Sequence, residues 1–346
     1  MQAVNYNINI PVSTLLRWRC GNPKGGEEEV VIFIVLLGLV VIMLAALYGY
    51  NQKKFRQAEM NFPPSGKFVE AHGIRLHYLE RGQGRPVVFL HGGVLRGHDF
   101  DQVMELAASK GYRALAFDRP GYGHSDRPKH RPVTPIDQAK LLHEALTKLG
   151  VDRPILVGHS WSGLLVLSYA CLYPGDLAGI VTLGGGMYKE GYPAEKGDPI
   201  SSIVTLPVVG PIVMNLLLAT LGRVMVRHII KATFAPEPVP AAYERETLAL
   251  WLRPSQFRAN REDVLAFAPA ASEMAPNYRR ILAPAVIVVG QRDPFPTKEH
   301  SYRLHRDMPD AALIELPLAA HMIPQHHPQA VIAAVEKLAH ASRHET

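Results

Sequence analysis

Apolar and polar residues follow three different patterns along this chain, and each predicts a different kind of structure. Residues 30–50, VVIFIVLLGLVVIMLAALYGY, carry no charge for about 21 residues, enough at ~1.5 Å per residue to cross a ~30 Å hydrocarbon core. The run is apolar around its whole circumference, which a one-faced core helix is not. It also exceeds the ~7 to 15 apolar residues of a cleavable signal peptide, and no clear small-residue cleavage site follows it. The expectation is one transmembrane helix over 30–50. A short polar tail over 1–29 precedes it and a polar linker over 51–66 follows. Arg17, Arg19 and Lys24 nearly balance Lys53, Lys54 and Arg56, so flanking charge scarcely orients the span; Lys67 weighs slightly for a cytoplasmic C-terminal side.

Past the linker, short apolar runs alternate with segments of helical period. Strands are predicted at 74–79, 86–90, 113–117, 154–157, 180–183, 285–289 and 312–316. Helices are predicted over 136–149, closed by Gly150, and over 329–340, where Val331, Ile332, Val335, Leu338 and Ala339 share one face. This alternation is that of a mostly parallel sheet with helices on both faces. It is interrupted between residues 188 and 280, where no strand pattern occurs and Pro207, Pro211, Pro236, Pro238 and Pro240 break a helix-like sequence. The chain therefore reads as a first core part over 67–187, an inserted helical cap over 188–280 and a second core part over 281–346.

Composition narrows the function. A chain of 346 residues, 47% hydrophobic and 20% charged, has material for one large domain and is neither collagen-like, coiled-coil nor disordered. Two cysteines, Cys20 and Cys171, cannot build a disulfide framework or a four-thiolate metal site. The net charge of +6 comes from 37 basic and 31 acidic residues, with no Lys/Arg run longer than Lys53-Lys54. That is no nucleic-acid signature, and it suits a protein beside a membrane. Neither nucleotide-binding glycine motif appears, so no cofactor is expected. His326 and His327 lack a partner at ligand spacing; they read as solvated residues at a helix start, and no metal is expected.

Candidate chemistry gathers at strand ends. Gly158-His159-Ser160-Trp161-Ser162-Gly163 stands where a buried strand gives way to a helix, a sharp turn that thrusts a serine hydroxyl out of the sheet and demands small neighbours. Ser162 occupies the place where a second glycine is usual. Upstream, PVVFLHGG puts His91-Gly92-Gly93 just after another strand, and FDRPGYGHSD over 117–126 forms a tight loop after the next. Two later strands run into Gln291-Arg292-Asp293-Pro294 and Pro317-Leu318-Ala319-Ala320-His321. A serine hydroxyl needs a base to take its proton, and the base needs a carboxylate to hold its tautomer. Ser160, His321 and Asp293 supply those types at one edge of a parallel sheet.

In these four motifs and in the order Ser160, Asp293, His321, the chain resembles the α/β-hydrolase family over roughly residues 66–340. The resemblance implies Ser160 as nucleophile, His321 as base, Asp293 as its acid, and an oxyanion hole made by the backbone N–H groups of Gly93 and Trp161. Asp118 and Arg119 read as braces of their loop rather than substrate contacts, His159 as a packing or hydrogen-bonding residue and Cys171 as core. Serine at the elbow stands against haloalkane dehalogenases and epoxide hydrolases, which look similar elsewhere but use an aspartate there. His91-Gly92-Gly93-Val94-Leu95 departs from the HGGPG usual in proline iminopeptidases. An anchor before this fold is similar in layout to membrane-bound monoacylglycerol lipases.

The expected function is that of a single-pass, membrane-anchored serine hydrolase cleaving a lipophilic carboxylic ester. A carbon-carbon bond hydrolase, a serine-dependent acyltransferase or perhydrolase, and a non-catalytic ligand-binding member of the fold stand as alternatives. The apolar segment 203–221 contains Pro207, Gly210, Pro211 and Asn215, and so is expected to be a cap helix lining the acyl pocket rather than a second span.

Overall fold

The computed structural model describes residues 23–94, 96–128 and 133–341; most of the expected polar tail, with Cys20, and Leu95 lie outside them. The chain divides after Tyr50 into two units. The first holds the greater part of helix α1 (Pro23–Asn61), in which every large apolar side chain from Val30 to Leu44 is more than a third exposed. Its apolar stretch is one of two among the described residues that are long enough to cross a membrane.

The second unit begins at Asn51. Residues 51–66 differ from the expected linker, because α1 continues to Asn61 and buries Asn51, Phe55 and Ala58 in this unit. The fully buried positions stand at helical spacing, one of them is an asparagine, and the half-buried Gln52 reaches Asn215 through its amide, so the segment looks polar throughout. Asn51 has a specific task. Its Nδ2 donates to Leu216 O at 2.9 Å, and its Oδ1 accepts from Ala219 N at 2.7 Å, where the cap helix widens into a π-turn over Leu218–Gly222. It thereby satisfies backbone groups that the irregular turn releases.

The sheet contains β1 (Lys67–Ala71), β2 (Ile74–Arg81), β3 (Arg85–Leu90), β4 (Tyr112–Phe117), β5 (Ile155–His159), β6 (Gly179–Leu183), β7 (Ala285–Gly290) and β8 (Ala312–Leu316). Their order is β1-β2-β4-β3-β5-β6-β7-β8, with β1–β2 and β2–β4 antiparallel and the other pairs parallel. Alternate side chains divide cleanly between its faces. Val88, Leu90, Leu115, Phe117 and Leu156 meet the helices α3 (Pro135–Lys148) and α4 (Ser162–Leu172). Val87, Phe89, Ala114, Ala116 and Val157 meet α2 (Asp101–Ser109) and α12 (Pro328–Ala341). Burial on both faces is why the strands read as unbroken apolar runs. The unforeseen β1 is an edge strand with only Val69 and Ala71 buried, joined to β2 by a turn with His72 and Gly73 both at positive φ.

Between β6 and β7 the cap supplies α5 (Pro199–Val204), α6 (Val209–Leu217), α7 (Arg223–Phe234), α8 (Ala241–Leu250) and α9 (Pro254–Met274), with no strand among residues 188–280. Pro236, Pro238 and Pro240 separate α7 from α8 as expected. Pro211 does not break its helix. It lies in the first turn of α6, where a missing N–H leaves no bond unmade. The second stretch long enough to span a membrane, Val209–Phe234, is 33% buried and sends Met214, Leu218, Val226 and Ile230 into the cap's own core together with Phe55. After β7 come α10 (Thr297–Asp307) and α11 (Ile323–His326).

Phe55 is 8% exposed within that cap cluster. Truncating such a side chain removes packing and leaves a cavity, so Phe55→Ala should destabilise the cap by about 3 kcal/mol. Limited proteolysis should then cut between residues 199 and 252 sooner than in the unaltered protein; an unchanged cleavage rate would contradict this packing role.

Candidate active site

Strand β5 ends at His159 and α4 begins at Ser162, leaving two residues to reverse the chain. Ser160 takes φ of +54°, a left-handed conformation that disfavours a residue with a Cβ. Three backbone hydrogen bonds of 2.9 Å hold it there: Ser160 N donates to Leu183 O, while Ser160 O accepts from Gly163 N and Gly186 N. A Cβ on Gly158 would come within 2.4 Å of Ser162 O, and one on Gly163 within 3.0 Å of Gly185 Cα. Position 158 must therefore be glycine, and a side chain at 163 would need Gly185 to give way. Position 162 tolerates serine because its hydroxyl, fully buried, donates to His91 O at 2.6 Å and so ties the elbow to the end of β3.

The structure brings Ser160, His321 and Asp293 together. Ser160 Oγ lies 2.9 Å from His321 Nε2, and His321 Nδ1 lies 2.8 Å from Asp293 Oδ2. Burial would raise the Asp293 pKa, but the neighbouring His321, with hydrogen bonds from His321, Thr297 Oγ1 and Phe295 N, outweighs it and holds the carboxyl below its usual range. The Phe295 ring packs edge-on against the imidazole at 4.7 Å between centroids. Gly184, at φ +48°, backs the pair; a Cβ there would stand 3.2 Å from Asp293 Oδ2. His159 is the structural neighbour expected of it. Its Nε2 donates to His321 O at 2.9 Å, and burial together with the nearby His321 pushes its pKa down to about 3, so the ring is neutral.

On the opposite side of Ser160, Gly92, Gly93 and Trp161 line the same cavity. Arg119 Nη2 donates to Gly92 O at 2.9 Å, and His91 Nδ1 approaches the same oxygen at 2.9 Å. His91 Nε2 accepts from Arg119 N at 2.9 Å, so its proton is on Nδ1. In a trans peptide the C=O and the N–H point in opposite directions, so holding Gly92 O by the guanidinium turns Gly93 N–H away from it. The side chain of Trp161 is held by the same group, with Arg119 Cζ 4.0 Å above its ring. Asp118 braces the loop from within, accepting from Gly97 N, His77 Nδ1 and His124 N. The bracing roles expected of Asp118 and Arg119 are what these contacts describe.

Three cap residues that complete this arrangement carry no motif and are absent from the sequence reading. Asp263, on α9, accepts from Arg119 Nη1 at 2.6 Å, Tyr122 OH at 3.1 Å, Arg127 Nη2 at 2.9 Å and Gln138 Nε2 at 3.2 Å, while its backbone oxygen accepts from Trp161 Nε1 at 3.2 Å. Asn260, one turn earlier, donates through Nδ2 to Gly93 O. Glu237, before α8, accepts from Ala320 N at 2.9 Å and pairs with His327 Nε2 at 2.7 Å. His326 Nε2 likewise bonds Pro238 O at 3.0 Å, so these two histidines fasten the cap rather than stand in solvent. Cys171 is half-buried against the core, not within it, and burial pushes its thiol up to about 11, which leaves it unreactive.

The profile of the alpha/beta hydrolase family matches residues 87–334, which spans β3 to α12 and takes in the elbow, both later loops and the cap. The chain belongs to that family. Its relatives divide by chemistry. Haloalkane dehalogenase 2 of Mycobacterium bovis is 24% identical over 281 residues, 79% of this chain and 94% of the relative. The 2-hydroxy-6-oxononadienedioate/2-hydroxy-6-oxononatrienedioate hydrolase of Burkholderia vietnamiensis is 27% identical over 253 residues, 69% of this chain and 82% of the relative. Among solved structures, a thermophilic esterase from Thermogutta terrifontis superposes with a TM-score of 0.64 at 19% identity, covering 80% of this chain and 99% of the esterase. These likenesses make this alpha/beta hydrolase a hydrolase by family and leave the scissile bond to its own residues.

Removing the Asp263 carboxylate leaves the Arg119 guanidinium buried without its counter-charge. Breaking such a pair on one side costs about 3–5 kcal/mol. Asp263→Leu should therefore lower stability by that amount in chemical denaturation. In whatever fraction stays folded, kcat should fall more than KM rises, because the guanidinium no longer orients Gly92 O. A variant as stable as the unaltered protein would contradict the assignment.

Proposed function

We propose that the protein is a serine hydrolase that cleaves carboxylic esters of lipophilic compounds through an acyl-enzyme. The observation that carries this reading is the hydrogen-bonded chain from Asp293 through His321 to Ser160 Oγ, which opens on a cavity of about 570 Å³. His321 Nε2 takes the Ser160 proton as Oγ attacks the ester carbonyl, and Asp293 stabilises the imidazolium that forms. The N–H groups of Gly93 and Trp161 receive the oxyanion; one such donor is worth ~2.7 to 4 kcal/mol of barrier. His321 then protonates the departing alkoxide and activates a water molecule that releases the acid.

The residue at the elbow separates this chemistry from that of the dehalogenase relative. A serine that displaced a halide from carbon would form an ether, which offers water no carbonyl to attack and would leave the enzyme blocked. With a carboxylic ester the serine forms an ester that the same histidine can hydrolyse. The carbon-carbon bond hydrolase relative keeps a second reading open, in which the acyl-enzyme forms by expelling a carbanion. Esters of increasing acyl length and a vinylogous diketone, assayed side by side, separate the two.

The exposed apolar run of α1 supports the anchor. Left in water it would forfeit about 25 cal/mol for every Å² of apolar surface, and a bilayer relieves that loss. The exposed Val208, Ile212, Leu221 and Val224 of the cap fit a lipid surface as well.

Ser160→Ala should abolish ester turnover and fluorophosphonate labelling without unfolding the protein, and Asp293→Asn should lower kcat by several orders of magnitude because the imidazole loses its oriented tautomer. Losses from Ser160, His321 and Asp293 replaced together should not exceed those of the most severe single change. Near-normal hydrolysis by Ser160→Ala would overturn the mechanism.

The whole chain should sediment with membranes and resist both high salt and carbonate, since screening detaches charge but not an apolar helix. A chain begun at Asn51 should keep Phe55 in the cap and be released. Release of the whole chain by salt alone would rule out the anchor.

A further inference from the structure

The chain of hydrogen bonds at Ser160 has a counterpart elsewhere in the molecule. Ser65 Oγ lies 2.9 Å from His98 Nε2, and His98 Nδ1 lies 2.7 Å from Asp101 Oδ2. None of the three lines the cavity above Ser160. Ser65 is exposed, in the segment before β1, while His98 belongs to the turn Gly97–Phe100 and Asp101 is the first residue of α2. An ionised carboxylate can only accept, so Asp101 fixes the His98 proton on Nδ1 and leaves Nε2 to accept from the serine hydroxyl. Asp101 is itself held, because its Oδ1 accepts from Arg81 Nη2 at 3.1 Å and its backbone N–H donates to His98 O.

The serine and its base are also positioned from behind, through one buried group. Gly66 N, next to the serine, donates to His77 Nε2 at 3.0 Å, and His77 Nδ1 in turn donates to Asp118 Oδ2 at 2.8 Å. Asp118 Oδ1 accepts from Gly97 N, next to His98, at 2.7 Å. His77 and Asp118 are both buried, so the two segments are joined where water does not compete.

The difference from Ser160 lies in what would receive negative charge. There the N–H of the following residue, Trp161, is one of the two donors proposed for the oxyanion. The corresponding N–H at Ser65 is that of Gly66, and it is spent on His77. Nor is Ser65 held at the positive φ of Ser160. A serine with a base but without that donor attacks only a carbonyl whose leaving group departs readily, and the alkyl ester it forms is not cleaved by the same means. We propose that Ser65 is a second nucleophilic serine that takes one acyl group from an activated donor, a thioester or an aryl ester, and keeps it. His98 Nε2 takes the Ser65 proton as Oγ attacks the carbonyl carbon. The bond from that carbon to sulfur or to the aryl oxygen breaks, and the thiolate or phenolate leaves with the proton from His98. Nothing is oxidised or reduced, and the step shares no residue with the ester-hydrolase reading.

The test uses the full-length Ser160→Ala protein in detergent, so that turnover at Ser160 does not consume the probe, with p-nitrophenyl acetate as donor and acetylation read peptide by peptide by mass spectrometry. Ser109 and Ser272 are internal standards, since both are exposed and their hydroxyls donate to backbone carbonyls, of Leu106 at 2.8 Å and Ala268 at 3.0 Å, rather than to an imidazole. A positioned general base contributes about 10²–10⁴-fold, so Ser65 should be acetylated at least about 100-fold faster than either standard. It should stay acetylated once the donor is removed, and ethyl acetate should leave it unmodified. His98→Ala should return Ser65 to the rate of the standards and Asp101→Asn should lower it, with the acetylation of lysines unchanged. The proposal is overturned if Ser65 reacts no faster than Ser109 and Ser272, if His98→Ala leaves its rate unaltered, or if the acetyl group is released as fast as it is gained. Should His98→Ala fail to fold, the comparison of Ser65 with the two standards decides alone.

Discussion

The Asp263 carboxylate lies on a cap helix yet sits wholly out of solvent among donors from the core. Each of its oxygens accepts two hydrogen bonds, from Arg119 and Tyr122 on one and from Arg127 and Gln138 on the other. A buried charge is tolerable only when its lone pairs are filled and a counter-charge is near, and here both conditions are met. The Arg119 guanidinium that it fixes also holds Gly92 O and covers the Trp161 ring. Cap and oxyanion loop are thereby one electrostatic unit. Glu237 does the same for the segment around His321, through Ala320 N and His327. The cap thus grips both loops that flank Ser160, and its motion relative to the sheet would disturb both at once.

The strained conformation of Ser160 depends on that scaffold. A left-handed residue with a Cβ persists only where its surroundings over-determine it. Three backbone bonds from β6, the elbow and the Gly184-Gly185-Gly186 run do so, and close approach at Gly158 and Gly163 forbids larger side chains. The serine at 162 adds a fourth constraint through His91 O. What looks like a departure from the usual elbow pattern is a further tie between β3 and β5, the two neighbouring strands whose ends carry the His91-Gly92-Gly93 turn and Ser160.

The parts of this arrangement that were legible in the sequence are those set by local chain geometry. Strands buried on both faces write themselves as apolar runs, and a tight turn at a strand end writes itself as glycine beside serine or histidine. Ser160, Asp293 and His321 were found by that rule. Asp263, Asn260 and Glu237 were not, because they act across more than 80 residues of chain from segments of ordinary composition, the first two in a helix and the third in the connection before α8. Asn51 escaped for the opposite reason. A polar residue in a polar stretch signals a linker, and only the fold reveals that its amide fills the gap in a π-turn 165 residues away. His326 and His327 misled in the same way, since paired histidines before a proline give no hint of the cap carbonyl and carboxylate that they meet.

The neutral histidines around the site bear on how its chemistry is confined. His91 and His159 are both pushed down to about 3, chiefly by burial and then by the nearby Arg119 and His321 respectively. His91 spends both ring nitrogens on backbone groups, Arg119 N and Gly92 O, and His159 spends Nε2 on His321 O. In the proposed mechanism neither would compete with His321 for the Ser160 proton, and neither would place a positive charge beside the alkoxide. His321 differs from them in two respects, the carboxylate of Asp293 behind it and the Ser160 hydroxyl in front of it. Of the three imidazoles that share this neighbourhood, His321 is the one joined both to a carboxylate and to the Ser160 hydroxyl, which is what the proposed base requires.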